Sequence, residues 1–393
     1  LTLAAFLVAF IAIVTLARKN LALGLFAGGI VLGILTMSTE YVLDSFLSTL
    51  SDSSVLTLMV VVAFIPMIGG LMNACGLLDA LVENMRIGRR TFLAFGPAIV
   101  GLLPMPGGAL MSAPLVEKAG KGISGAGKAA INVWFRHVLL LVYPIAPSLI
   151  ISVKVAQVGL YSAVLVLLPF VLFATFIGYF FLLRPVKGTG KDNKHGNIRG
   201  VIYVLAVLGI APLVDAIVRM FLKPEPSVLA TLVGVLTSMA LLLWVSRPAK
   251  EQIFDTVKHM KPWSFSLLIL GLFFFLNVFK SSPTAKDMVT LPISELGVLV
   301  LLGFILALLT GRIEIPISMV IPIYLVKLGS AVPLFAFALL YFSAFLGFMV
   351  SPVHACVAVS LDYFKTDLNS YLKMLIPPTV VALLSTIILS MLV

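Results

Sequence analysis

Long apolar runs recur along this chain from end to end, each near the roughly 20 residues that a helix needs to cross a bilayer. They predict spans over about 2–17, 21–37, 55–75, 129–155 and 157–184, and then over about 200–222, 227–245, 264–280, 333–357 and 372–393. Two apolar segments are awkward as simple crossings. One runs from Thr91 to Gly120 and is interrupted by Pro104-Met105-Pro106-Gly107-Gly108. The other runs from Ser294 to Gly329 and is interrupted by Thr310-Gly311-Arg312-Ile313-Glu314-Ile315-Pro316. Each is expected to form two short helices joined by a tip, a re-entrant hairpin that enters and leaves on one side.

The second half repeats the first at a shift of 208 residues. Tyr143-Pro144-Ile145-Ala146-Pro147-Ser148 stands above Ser351-Pro352-Val353-His354-Ala355-Cys356, and the shift pairs Met111 with Met319, Pro114 with Pro322, Ser152 with Ser360 and Pro169 with Pro377. Near the starts of the halves it slips to 206, where Gly28 meets Gly234. Related halves in a membrane protein point to a transporter with its site at their seam. The expected fold is therefore an all-α polytopic membrane protein of two inverted repeats. Each has about five transmembrane helices, a re-entrant hairpin and a broken helix. The first repeat is 1–184 (hairpin about 91–120, broken helix about 129–155) and the second 200–393 (hairpin about 294–329, broken helix about 333–357). A polar, glycine-rich cytoplasmic linker, 185–199, joins them.

Composition agrees: 61 % hydrophobic residues, 11 % charged and a mean hydropathy of +1.17 do not describe a soluble domain. The first run lacks a basic start and a clear small-residue cleavage site, so it reads as a span. A net charge of +11 raises nucleic acid as a partner, but the basic residues sit in short loops between apolar runs, as insertion topology requires. With both termini outside, 19 of the 27 Lys and Arg fall in cytoplasmic stretches. Residues 38–54 carry no Lys or Arg, whereas the equivalent 247–262 carries four, as expected of equivalent segments on opposite faces. The expected location is the cytoplasmic membrane of a prokaryote. Cys75 and Cys356 are too few and too deep in apolar sequence to suggest a disulfide framework or a metal site.

Chemistry is expected where the backbone is irregular, because a bilayer tolerates open backbone only where protein or a wet cavity satisfies it. Proline inside a helix frees carbonyls, so Pro144 with Pro147, and Pro352 after Ser351, mark breaks that offer amide-rich and carbonyl-rich ends to ions. The alternative is that these prolines only kink packed helices. On this reading a substrate meets Tyr143, Ala146, Ser148, Ser351 and His354 at the breaks. It meets Pro106, Gly107, Gly108 and Ser112 at the first tip, whose glycines alternatively only make a tight turn. Arg312 is a natural partner for a carboxylate, sulfonate or phosphate, and Glu314 for a coupling proton or Na⁺. The competing reading is an internal Arg312–Glu314 pair. Arg136, about two turns before the first break, must face protein or water. It joins the substrate set, with a snorkelling arginine as the alternative. His137 and His354 complete the ion-coupling candidates, since histidine titrates near neutral pH. A neutral His354 holding a freed carbonyl is the competing reading. Asn73 and Asn277 lie near span ends, where bonds between helices serve as well.

The Pro104–Gly108 tip, the Trp134-Phe135-Arg136-His137 run and Ser351-Pro352-Val353-His354 resemble the ion transporter superfamily, which holds citrate, gluconate, dicarboxylate and Na⁺/H⁺ carriers. The chain looks closest to a citrate-transporter-like integral-membrane branch, the domain-of-unknown-function 401 type. The resemblance covers the whole chain and implies two inverted repeats, a homodimer and elevator motion. Substrate and coupling ion would meet between hairpin tips and helix breaks. The Ser-Asn-Thr motifs of dicarboxylate carriers are absent. The expected function is thus secondary active transport of a small organic anion, coupled to H⁺ or Na⁺, with no other cofactor and no resident metal. A cation/proton antiporter would need more membrane carboxylates than Asp215 and Glu314. An intramembrane enzyme acting on a lipid phosphate would need clustered carboxylates or a nucleophile with its base. There is no GxxxxGK[ST] loop for ATP.

Overall fold

The computed structural model describes residues 2–17, 20–84, 87–103, 108–186, 198–288, 296–328 and 332–392. Among them there is no strand. The first half of the chain forms α1 (Thr2–Ala17), α2 (Leu21–Thr36), α3 (Thr39–Ser51), α4 (Ser53–Ala74), α5 (Leu77–Asn84), α6 (Arg89–Gly101), α7 (Gly108–Ala119), α8 (Gly125–Val138), α9 (Pro147–Ala156) and α10 (Leu160–Gly178). A 3₁₀ turn, Leu139–Leu141, extends α8, and a π turn, Tyr179–Leu183, extends α10. The second half forms α11 (Ile198–Phe221), α12 (Val228–Ser246), α13 (Lys250–Met260), α14 (Pro262–Ser281), α15 (Pro283–Met288), α16 (Leu296–Thr310), α17 (Glu314–Leu328), α18 (Leu334–Val350), α19 (Ala355–Tyr363) and α20 (Leu368–Met391). Seven helical segments among the described residues are long and apolar enough to cross a membrane. Each of α1 and α2 has 16 residues, about 24 Å of helix at 1.5 Å per residue.

Helices α3 and α13 occupy the segments 38–54 and 247–262, which the apolar runs leave unassigned. In α3 the buried positions Val42, Ser45 and Thr49 recur at helical spacing, so a stripe of mixed polarity faces the protein. Thr49 takes a 2.8 Å hydrogen bond from Asn277 of α14, which makes that asparagine a bond between helices.

Packing matches element for element between the halves. Helix α1 lies on α2 as α11 lies on α12; α2 lies on α14 as α12 lies on α4; α3 meets α14 as α13 meets α4; α15 meets α1 as α5 meets α11. Gly28 and Gly234, aligned by the sequence shift, both stand at the first of these crossings. A Cβ on Gly234 would come within 2.3 Å of the Ala211 carbonyl oxygen, and one on Gly28 within 2.4 Å of the Ile13 side chain. Helices approach this closely only where a residue is very small.

The interior is built on α18. Of the most apolar 18-residue stretch within Leu334–Tyr363, 83 % is buried, against 28 % of the corresponding stretch within Gly200–Phe221. The outward faces of α1, α2, α10, α11 and α20 expose Leu7, Ile34, Leu172, Ile202 and Leu384, an apolar surface of the kind a bilayer solvates. Buried Asp215 ties α10, α11 and α12 together. It pairs with Arg219 at 2.8 Å and accepts hydrogen bonds from Tyr161 (2.7 Å) and Thr231 (2.6 Å).

Candidate functional site

Helical geometry lapses between α8 and α9 and between α18 and α19, and the two breaks are built alike. The chain turns at residues 143–146 between α8 and α9, and at 351–354 between α18 and α19. Ala146 N–H donates to the Tyr143 carbonyl at 2.9 Å, and His354 N–H to the Ser351 carbonyl at 3.2 Å. Ala146 then precedes α9 with φ −66°, ψ 124°, and His354 precedes α19 with φ −71°, ψ 118°. Neither residue caps its helix with a side chain, so the first amides of both helices rely on other partners. These segments are 208 residues apart, the spacing of the sequence repeat.

The helices α6, α7, α16 and α17 dock against the broken helices crosswise. Helices α6 and α7 pack on α8, and α7 also on α19; α16 packs on α18, and α17 on α9. Gly101 allows α6 to reach α8, because a Cβ there would lie 1.7 Å from the Arg136 carbonyl oxygen. Left-handed Gly311 (φ +63°) lays the second tip on Val353 and His354, with 3.0 Å from its would-be Cβ to the His354 nitrogen. Ser351 donates to the Leu308 carbonyl of α16 at 2.7 Å, fixing the break to that helix.

Where α7, α8 and α19 meet, Arg136 is 3 % exposed. Its guanidinium donates to the Ser112 hydroxyl and the Leu103 carbonyl, both at 3.4 Å, and lies against the Cys356 thiol. Both bonds are longer than the usual 2.7–3.2 Å range. Among the described residues no carboxylate lies within salt-bridge distance of it. Its place in the last turn of α8 sets it beside that helix's free carbonyls. One turn earlier, Asn132 donates to the Ala109 carbonyl (3.2 Å) and the Ser360 hydroxyl (3.0 Å), bridging α8 to α7 and α19. The buried Asn132 Oδ1 has no protein partner.

His137 and His354 face each other with ring centroids 4.9 Å apart. His137 Nδ1 meets the Val133 carbonyl at 2.7 Å, and His354 Nδ1 the Phe348 carbonyl at 3.1 Å. A carbonyl only accepts, so both Nδ1 atoms carry the hydrogen and both Nε2 atoms present a lone pair. Cys356 completes the group. Its sulfur and one ring nitrogen of each histidine all lie within 4.8 Å of one another.

The remaining sequence candidates divide. Gly108 and Ala146 are buried at the starts of their helices. Ser148 accepts a 3.2 Å hydrogen bond from Tyr341 of α18. The Tyr143 hydroxyl turns away to the Leu208 carbonyl of α11, at 2.9 Å. Arg312 and Glu314 face each other at 3.8 Å, the arginine side chain 48 % exposed and the glutamate 10 %. Pro106 and Gly107, with most of the first tip, lie outside the described residues, as does the linker from 187 to 197. Sequence reading missed Asn132, Ser360 and Cys356. The His354-x-Cys356 spacing at a break was the available signal for the last.

Two cavities open away from the breaks, the first beside the end of α9 and the second between α3 and α14. One, of about 360 Å³, is lined by Ser54, Lys154, Gln157 and Arg219 among others; the other, of about 440 Å³, by Asp44, Asp52, Asn277 and Lys280 among others. Lys154 contacts Ser54 and lies over the Phe273 ring, at the margin between them.

Residues 2–393 match the family described as "Protein of unknown function (DUF401)", and the chain belongs to that family. No curated protein matches it significantly.

Proposed function

We propose that this member of the DUF401 family is a secondary active transporter, which moves a small organic anion across a cytoplasmic membrane together with H⁺ or Na⁺. One observation carries the reading: a buried guanidinium with no carboxylate against it stands beside one of two helix breaks of identical build. Taking a charge out of water costs several kcal/mol, which good geometry and a counter-charge must offset. An arginine held by two long bonds to neutral oxygens is short of such a partner, and its planar fork matches a carboxylate, sulfonate or phosphate.

The rest of the mechanism builds on that. We read the matched elements as two inverted repeats of the ion transporter type, with α6–α7 and α16–α17 as re-entrant hairpins. The crosswise docking of each hairpin on both broken helices supports this, since relative movement of hairpins and breaks would then expose one shared site to either side. Arg136 and Ser112 hold the anion. Arg312, half exposed on the opposite tip, is its first contact from solution. Glu314, largely buried beside Arg312, is the coupling group, able to take a proton or one Na⁺ oxygen contact. Lys154 and Arg219 add positive field at the cavity beside α9, which raises the local concentration of anions. Helices α1, α2, α11 and α12 would form a fixed scaffold and the contact of a homodimer. The antiporter reading loses ground because Asp215 already has an arginine, a tyrosine and a threonine, which leaves it no room for a cation.

The test is thermal stabilisation of the purified protein by a panel of carboxylates, sulfonates and phosphates, with and without Na⁺ and at two pH values. A ligand that binds only the native state raises the melting temperature by mass action. The expected result is stabilisation by one anion class that disappears in Arg136→Met. Stabilisation by Na⁺ or Li⁺ alone, with no organic anion effective, would replace this reading with the antiporter.

A further inference from the structure

We infer that His137, His354 and Cys356 form a binding site for one borderline transition-metal ion, Zn²⁺ above all, at the junction of the second helix break with α8. The inference stands apart from the transport reading, since it concerns metal binding by the resting protein.

Three independent features of the group point to a ligand. The first is convergence: among the described residues this is the one place where three His, Cys or carboxylate side chains bring donor atoms together, all within 4.8 Å. The second is orientation. Each imidazole is held through Nδ1 on a backbone carbonyl, the outer hydrogen bond that fixes the tautomer of a metal-ligating histidine and leaves Nε2 to coordinate. The third is an unmet need. His354 is 3 % exposed, and its buried Nε2 has no hydrogen-bond partner. A buried polar atom without a partner costs about 1–3 kcal/mol, so its placement asks for an explanation, and a coordinate bond supplies one.

The surroundings hold the group in place. Phe348 stacks on His354 with 3.6 Å between centroids and meets His137 edge-on at 5.2 Å. Gly311 closes on the His354 backbone from the second tip. Arg136 lies against the Cys356 sulfur, and Arg312, paired with Glu314, stands farther off. When an M²⁺ ion binds, the S–H bond breaks, a sulfur–metal bond forms, and one proton leaves to solvent.

Donor chemistry selects the ion. Two imidazoles and a thiolate suit Zn²⁺ and its neighbours, whereas Mg²⁺, Ca²⁺ and Na⁺ prefer oxygen. Zinc bond lengths near 2.0 Å to nitrogen and 2.3 Å to sulfur place tetrahedral donors roughly 3.3–3.6 Å apart. The group must therefore close by about 1 Å at its widest, within reach of small side-chain rotations. Three protein ligands leave a fourth position open, as in zinc sites that exchange water for another ligand.

The experiment uses the full chain in detergent, stripped with a chelator and titrated with Co²⁺ as a spectroscopic stand-in. The expected result is a thiolate-to-cobalt charge-transfer absorption that saturates at one equivalent per chain, is displaced by Zn²⁺ and ignores excess Mg²⁺. Cys75→Ser should keep the band, Cys356→Ser should abolish it, and His354→Gln should weaken affinity at least about tenfold. Zinc X-ray absorption on the unmutated chain needs no variant to fold. One sulfur and two imidazoles around the ion are expected. An ion surrounded by nitrogen and oxygen alone, or a band that survives Cys356→Ser, would overturn the site. Loss of anion stabilisation with metal binding intact would instead count against the transport reading alone.

Discussion

Replacing Arg136 by methionine should leave stability nearly unchanged while removing anion binding. In the empty protein the buried guanidinium sits in a low-dielectric interior at an effective penalty of several kcal/mol. Against this stand two hydrogen bonds of 3.4 Å, to Ser112 and Leu103. Each is worth about 1 kcal/mol at that length, below the 1.5–3 kcal/mol of a well-formed charged bond. The α8 carboxyl end adds about 1 kcal/mol. Methionine fills similar volume without charge and leaves the Leu103 carbonyl short of one donor. The two sides nearly cancel, so the variant should unfold within about 2 kcal/mol of the parent, and on the stable side if relief of the charge prevails. Anion binding has no such compensation. Losing the charged partner of a buried pair costs about 2–5 kcal/mol, which is roughly 30- to 4,000-fold in affinity at 1.4 kcal/mol per decade. The assay is paired: denaturation of the empty protein in detergent, and titration with whichever anion stabilises the parent. A variant that is destabilised by about 4 kcal/mol while binding the anion unchanged would refute the reasoning, because Arg136 would then be a structural strut.

Other perturbations separate the site from its frame. Arg312→Gln should raise the anion concentration needed for half-maximal uptake while leaving the melting temperature within a degree or two, as measured by uptake and thermal unfolding on one preparation. Gly101→Val puts a Cβ where the Arg136 carbonyl stands, 1.7 Å away; α6 should lose its seat on α8, detectable as faster proteolysis between α6 and α7 and loss of uptake. Asp215→Asn leaves Arg219 without its partner and should destabilise by about 3–5 kcal/mol without changing which anion binds, as read by denaturation and by the anion panel. Glu314→Gln should uncouple uptake from the ion gradient yet preserve exchange of labelled for unlabelled anion across vesicles.

Much of this architecture is written in the linear pattern. Apolar runs located the long helices because a span must be apolar almost throughout, and α4, α10, α12 and α14 fall within a few residues of the expected ranges. The repeated proline register at Pro144 and Pro352 located both breaks, whereas Pro66, Pro169 and Pro212 stand inside unbroken helices, so a lone proline would not have done so. Helices α3 and α13 were less legible: the buried face of α3 mixes Ser and Thr with Val, α13 buries only Thr256, and no long apolar run announces either. Arg136 lies against Ser112, and His137 against His354. Tyr143 joins neither pair, because its side chain leaves the break toward α11. Cys356 was passed over, as a lone thiol in an apolar run has no local partner. Its neighbours Arg136 and His137 belong to the other half of the chain, and only folding brings them near. The pairing of Arg312 with Glu314 shows why a charged tip alone could not settle the substrate: two adjacent charges can answer each other, whereas among the described residues no carboxylate answers Arg136.

The most direct measurement is uptake of labelled mono-, di- and tricarboxylates, sulfonates and phosphates into proteoliposomes under imposed H⁺ or Na⁺ gradients, with the parent and Arg136→Met side by side. The expected result is accumulation of one anion class above protein-free vesicles, driven by one of the two gradients and absent in the variant. Entry of no anion through folded, correctly reconstituted parent protein, or equal entry through Arg136→Met, would contradict an anion transporter built around this arginine.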